Sequence, residues 1–200
     1  MNFDLPTSKD TLNIEQEHRS FNELFEQTLA GDQEGVPIIE YAIPYPKEDF
    51  LAFLVSEKDI LLHGSSNRDA EIMEPRQAND ASKISGNKKA VYAVTDPVLP
   101  IFYAIQDRNK IEGCVESGVT THETGDCEYA FTLPKGSLAK KPWAQGIVYL
   151  FRKDQFRPEK NDDGEASGEW TSDKPVKPVA KLEVTSDDFR FLGMVKESEQ

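Results

Sequence analysis

The run Lys58-Asp59-Ile60-Leu61-Leu62-His63-Gly64-Ser65-Ser66 constrains the fold more than any other stretch of this chain. Its three apolar residues are too few to mark a helix and suit a buried strand. Gly64 then lets the backbone turn, or lets a ligand come close where a Cβ would stand in the way. A lone histidine behind an apolar run is ordinarily structural. Two later features give this one a context: the stretch Lys89-Ala90-Val91-Tyr92-Ala93-Val94-Thr95-Asp96, and Tyr103.

A chain of 200 residues is long enough for one sizeable domain with a full core. Only 38% of it is hydrophobic and 30% is charged, but 11 Phe, 6 Tyr and 2 Trp supply the aromatic area a core needs. The net charge of −13 argues against nucleic acid as a partner, because binding a phosphate backbone takes a basic face. Cys114 and Cys127 are the only cysteines, too few for a disulfide framework. His122 lies between them, but no CxxC or HxxxH spacing accompanies it, so no metal site is expected. No apolar run approaches the roughly 18 residues that cross a membrane. The start, Met1-Asn2-Phe3-Asp4-Leu5-Pro6, lacks the basic and apolar parts of a signal peptide. The expectation is a soluble cytoplasmic protein.

In chain order, Asn13 to Leu29 reads as a helix, with Ile14, Phe21, Leu24, Phe25 and Leu29 on one face. Val36 to Tyr41 reads as a short extended piece. A second helix opens at Lys47-Glu48-Asp49, carries Phe50, Leu51, Phe53 and Leu54, and ends near Ser56. The His63 strand follows. Residues 77–88 are polar and read as a loop able to order over a ligand. Ala90 to Val94 reads as a strand. Thr95 or Asp96 then caps a helix with Pro97 at its first position and the stripe Val98, Ile101, Phe102, Ile105. The second half is strand-rich: Glu128 to Leu133, Gly146 to Phe151 and Lys177 to Val184, with an acidic loop from Asn161 to Gly168 and a polar tail over 196–200. Helices first and strands after predict an α+β fold.

Leu62-His63-Gly64-Ser65, then Ala90-Val91-Tyr92-Ala93, then Tyr103 eleven residues after Tyr92 resemble the ADP-ribosyltransferase fold. The likeness is to the His-Tyr-Glu branch that includes the poly(ADP-ribose) polymerases. Glu169-Trp170 stands where that branch has its glutamate, ahead of a late strand. The resemblance covers roughly residues 58–185. It implies N-terminal helices followed by a mixed, mainly antiparallel β core. Residues 1–57 would form a helical segment packed on an ADP-ribosyltransferase-like domain at 58–195, a single domain overall.

The resemblance also implies roles around NAD as substrate. His63 would bind the adenine-side ribose, Gly64 would pair its backbone with the nicotinamide amide, and Ser65 would add a hydroxyl. Tyr103 would stack on nicotinamide, with Tyr92 closing the other side. Glu169 would hold the ribose hydroxyls and stabilise an oxocarbenium-like state, with Glu165 as an alternative. Arg76 suits the pyrophosphate, since a planar guanidinium matches phosphate oxygens. The main cleft is expected between the His63 strand and the Tyr92–Tyr103 segment. Ala90 replaces the family's Gly, and Pro100 stands where the polymerases have a small polar residue. Transfer of a single ADP-ribose to a protein or small-molecule acceptor, or NAD hydrolysis, is expected before polymer synthesis. The alternatives are an inactive NAD- or ADP-ribose-binding module, or an RNA 2′-phosphotransferase, which the acidic charge disfavours.

Overall fold

The structure is a computed structural model that describes residues 8–32, 34–77, 88–122, 127–160, 164 and 166–199. It is α+β, with two helices ahead of a mainly antiparallel sheet. Helix α1 spans Ser8–Ala30 and α2 spans Lys47–Glu57. Phe21 joins them, its ring centroid 5.5 Å from that of Phe50 and 5.6 Å from that of Phe53. Phe25 and the predicted Phe50, Leu51, Phe53 and Leu54 are buried with it. Ile14 is not: it is 50% exposed, because α1 runs out past the core at that end.

The main sheet is built from β1 (Ile60–Ser65), β2 (Arg76–Gln77), β3 (Lys89–Val94), β6 (Gly146–Arg152), β7 (Arg157–Lys160), β8 (Ala166–Ser172) and β9 (Ala180–Val184). Its order is β7-β8-β3-β1-β6-β9, with β2 paired to β3, and every pairing is antiparallel. A smaller sheet holds the hairpin of β4 (Glu116–Thr121) and β5 (Cys127–Leu133), with β10 (Lys196–Glu197) parallel to β5.

Both faces of the main sheet are covered, which is why β1 and β6 read as continuous apolar runs rather than alternating ones. Ile60, Leu62, Val148, Leu150 and Leu182 face the helices in one cluster. Leu61, Val91, Ala93, Ile147, Tyr149 and Phe151 form a second cluster on the opposite face.

Helix α3 (Leu99–Ala104) crosses the first of these faces. It starts two residues later than the sequence suggests, with Pro100 rather than Pro97 in its first turn. Asp96 is the cap: one carboxylate oxygen accepts from the Val98 and Leu99 N–H groups at 2.8 Å each. The helix comes so close that its carbonyls fill the space left by two glycines. A Cβ on Gly64 would lie 1.9 Å from the Pro100 oxygen, and one on Gly146 would lie 1.9 Å from the Ala104 oxygen.

Several boundaries differ from the sequence reading. The last predicted strand shrinks to Ala180–Val184, behind Pro178. Ala166 to Gly168 belong to β8 rather than to a loop, and 196–197 pair with β5 rather than forming only a tail. Strands β4 and β7 carry no apolar alternation that could announce them. Residues 78–87 of the predicted loop lie outside the described residues.

Substituting alanine at Gly64 or Gly146 should cost about 1–3 kcal/mol or more, because a backbone carbonyl cannot swing aside as a side chain can. Gly118, with nothing within 4 Å of its built Cβ, is the control. Urea unfolding of the three variants checks this; equal midpoints for Gly64→Ala and Gly118→Ala would sink it.

Candidate functional site

The three strands that carry His63-Gly64, Tyr92 and Glu169 come from distant parts of the chain, yet they lie side by side as β1, β3 and β8. Between β3 and β8, Val94 pairs with Glu169, Ala93 with Trp170 and Tyr92 with Thr171. Between β1 and β6, six pairs run the length of the strand. Between β1 and β3 there is a single registered pair, Leu62 with Val94.

His63 sits next to that pair. Its Nδ1 lies 2.7 Å from the Tyr92 carbonyl oxygen. A carbonyl only accepts, so Nδ1 carries the proton and the neutral ring presents Nε2 as an acceptor. Burial lowers the His63 pKa below the ordinary imidazole value, and the nearby Arg76 guanidinium acts in the same direction against the pull of the Tyr92 carbonyl.

The pleat divides the predicted site residues into two groups. Gly64, Tyr92 and Glu169 share the face that α3 covers, because they fall at the same parity as Leu62 and Val94. His63 and Ser65 fall at the parity of Leu61, on the opposite face. The hydrogen bond from His63 to the Tyr92 carbonyl joins the two groups.

On the helix side, Tyr103 leaves α3 three residues beyond Pro100, the residue seated against Gly64. Its hydroxyl shares a 2.9 Å hydrogen bond with the Ser117 hydroxyl of β4, and its ring packs half-buried against the core. The Tyr92 hydroxyl accepts from the Lys88 N–H and donates to the Lys88 carbonyl, both at 3.1 Å. Glu169 is half-buried, and its N–H donates to the Ser167 hydroxyl at 3.2 Å. Glu165 lies outside the described residues.

On the other face, Ser65 accepts from the Asn67 N–H at 3.1 Å, so its hydroxyl is used in a local turn. The Tyr149 hydroxyl donates to the Asn67 carbonyl at 2.8 Å and accepts from the Ala70 N–H at 3.1 Å, pinning the chain where it leaves β1. Arg76 is exposed on β2 and pairs with Ala90, which gives it the parity of Tyr92 and not of His63.

Glu159 had no signal in the sequence, and Asp96 stood out there only as one of two cap candidates beside Thr95. Glu159, on β7, accepts from the Lys88 ammonium at 2.7 Å and from the Thr171 hydroxyl at 2.6 Å. Asp96 caps α3 with one oxygen and takes the Tyr129 hydroxyl at 2.8 Å with the other. Burial, and after it this bond to Asp96, raises the Tyr129 pKa above the ordinary phenol value.

A depression of about 550 Å³ lies away from the expected cleft, where Lys58, Arg152 and Lys153 surround Trp170. The Lys153 ammonium stands 5.0 Å from the Trp170 ring centroid and 3.8 Å from Asp59. His122 pairs with Glu128 at 3.5 Å, and Cys114 and Cys127 are not joined by a disulfide. Among the described residues no cluster of three or more His, Cys, Asp or Glu is placed to hold a metal, and no helix is long and apolar enough to cross a membrane. Comparison with protein-family models, with curated proteins and with solved structures gives no match.

The histidine gives a pH prediction with a definite sign. A histidine whose folded-state pKa is lowered stabilises the fold above its unfolded value of about 6.5, and that contribution is lost as pH falls through the folded value. Between about pH 7.5 and about pH 5.5, wild type should lose more stability than His63→Gln. Urea midpoints at the two pH values decide it: parallel losses in the two proteins would show that His63 does not titrate against folding.

Proposed function

We propose that this chain is an NAD-dependent mono-ADP-ribosyltransferase or NAD glycohydrolase of the ADP-ribosyltransferase type. The observation that carries the reading is the adjacency of β1, β3 and β8, which places the His-Gly, Tyr and Glu motifs on neighbouring strands. The division of these residues also matches the two ends of NAD. Tyr92, Glu169 and the helix bearing Tyr103 lie toward one face, as suits the nicotinamide and its ribose, while the space over Gly64 on that face is filled by the Pro100 carbonyl. His63 lies toward the other, as suits the adenine-side ribose, and the Arg76 guanidinium, at the Tyr92 parity but near enough to act on His63, suits the pyrophosphate between them. The short β1–β3 ladder lies between the two groups.

In this reading His63 receives a ribose hydroxyl hydrogen at Nε2. The neutral Nδ1–H form is the one that can do so. The ring of Tyr103 stacks on nicotinamide. The bond from the ribose C1′ to the nicotinamide nitrogen breaks, and its electron pair leaves with nicotinamide. Positive charge then develops on the ribose, and the Glu169 carboxylate stabilises it. Water or an acceptor hydroxyl or carboxylate forms the new bond to C1′ and gives up any proton it carried. Much of the rate comes from holding the two reactants in line.

Nicotinamide should raise the melting temperature if it binds only the folded protein. Glu169→Gln keeps the side-chain shape and loses the charge. It should keep NAD affinity and lower kcat and kcat/KM together by about 10²–10³. Tyr103→Ala removes stacking in ground and transition states alike and should mainly raise KM. The assay is NAD consumption by wild type, Glu169→Gln, Glu165→Gln and Tyr103→Ala. Loss of turnover in Glu165→Gln alone would move the acidic role to Glu165. NAD bound and never consumed would leave a binding module. No stabilisation by nicotinamide or NAD would end the reading.

A further inference from the structure

The Tyr92 hydroxyl bonds both backbone groups of Lys88, four residues earlier in the chain. In an extended strand two residues so spaced stand about 13 Å apart. The chain therefore curls at Lys88, back over the Tyr92 ring, and something must hold it there. Lys88 is itself exposed, its side chain 58% accessible, and it comes just before β3 begins.

The Lys88 side chain is bound in turn by Glu159. One carboxylate oxygen takes the Lys88 ammonium at 2.7 Å, and the other takes the Thr171 hydroxyl at 2.6 Å. Thr171 is buried and lies directly opposite Tyr92 in the β3–β8 register. The Glu159 side chain is only 18% accessible, so this is not a freely solvated surface pair. The bonds form a circuit from the Tyr92 phenol to Lys88, on to Glu159 and Thr171, and back across the ladder to the Tyr92 backbone. Both bonds to Glu159 hold its carboxyl below the ordinary range, so it stays charged at neutral pH.

We infer that Glu159 is the positioning residue for Tyr92: it clamps Lys88 to β8 and so sets the angle at which the Tyr92 ring stands in the site. This rests on the reading of Tyr92 as one wall of a nicotinamide pocket. Glu159 itself touches no substrate there; it acts through Lys88. A salt bridge so close to the surface would ordinarily add little to stability. Its effect is therefore to be sought in ligand binding rather than in melting temperature.

The test is a double-mutant cycle read by nicotinamide affinity, using calorimetry on the full chain. Glu159→Gln and Lys88→Met should each weaken nicotinamide binding about fivefold, as for neighbours uncoupled within one network. The double variant should be no weaker than either single one. Melting temperatures should stay near that of wild type. Single variants that bind like wild type, or losses that multiply in the double variant, would overturn the clamp and leave the pocket reading standing. A second readout does not depend on NAD. With tyrosine rings labelled for NMR, the Tyr92 hydroxyl proton should exchange slowly in wild type and fast in Glu159→Gln. If wild type fails to bind nicotinamide, the function proposed above falls, and this exchange measurement alone decides the clamp. Equal exchange in the two proteins would refute it.

Discussion

The approach of α3 to the main sheet governs the rest of the structure. A helix of six residues has no stability of its own, since nucleation costs more than so few hydrogen bonds return. It persists because Asp96 satisfies its first N–H groups and because Gly64 and Gly146 leave room for the Pro100 and Ala104 carbonyls. That seating places Phe102 among the aromatic rings of Phe131 and Phe189, at 4.6 and 5.5 Å. It also ties Tyr103 to β4 through Ser117. The small sheet is thus attached to the large one mainly through what α3 carries. The glycine of the His-Gly-Ser motif answers first to this packing, whatever else its backbone does.

The second constraint is electrostatic. A chain of net charge −13 must keep its carboxylates apart or engaged, and around the candidate site it does both. Asp96 spends its two oxygens on a helix start and a phenol. Glu159 spends its two on an ammonium and a hydroxyl. His63 is held neutral by burial, and the Arg76 guanidinium nearby favours the same state. The result is a sheet centre in which the imidazole is uncharged and its proton is assigned to one nitrogen.

Some of this was legible in the sequence and some was not. The apolar runs Ile60–Leu62 and Ile147–Phe151 announce strands because both of their faces are buried. Phe50 to Leu54 announce α2 for the same reason. Strand β7 could not be read, because Arg157-Pro158-Glu159-Lys160 has no apolar residue and is held by its partner β8. With β7 unseen, Glu159 looked like one more acid in an acidic chain. Strand β4 was hidden likewise: its Gly118, Val119 and Thr120 are largely exposed, and its pairing comes from β5. Of the candidate site, the spacing of His63, Tyr92 and Tyr103 was visible, but the face on which each side chain falls was not. Parity relative to a buried neighbour decides that, and parity needs the register of strands distant in sequence.

The order β7-β8-β3-β1-β6-β9 also bears on how such a sheet comes together in time. Leu62 finds Leu150 and Val91 finds Ser172, so the central strands pair with segments made much later. The sequence-adjacent hairpins, β4 with β5 and β7 with β8, lie away from the β1–β3 junction. Closing long loops before contacts reward them slows folding. During synthesis, β1 and β3 would wait side by side with one shared pair and their apolar runs uncovered. That interval, and not the finished fold, is when this acidic chain is most exposed to aggregation.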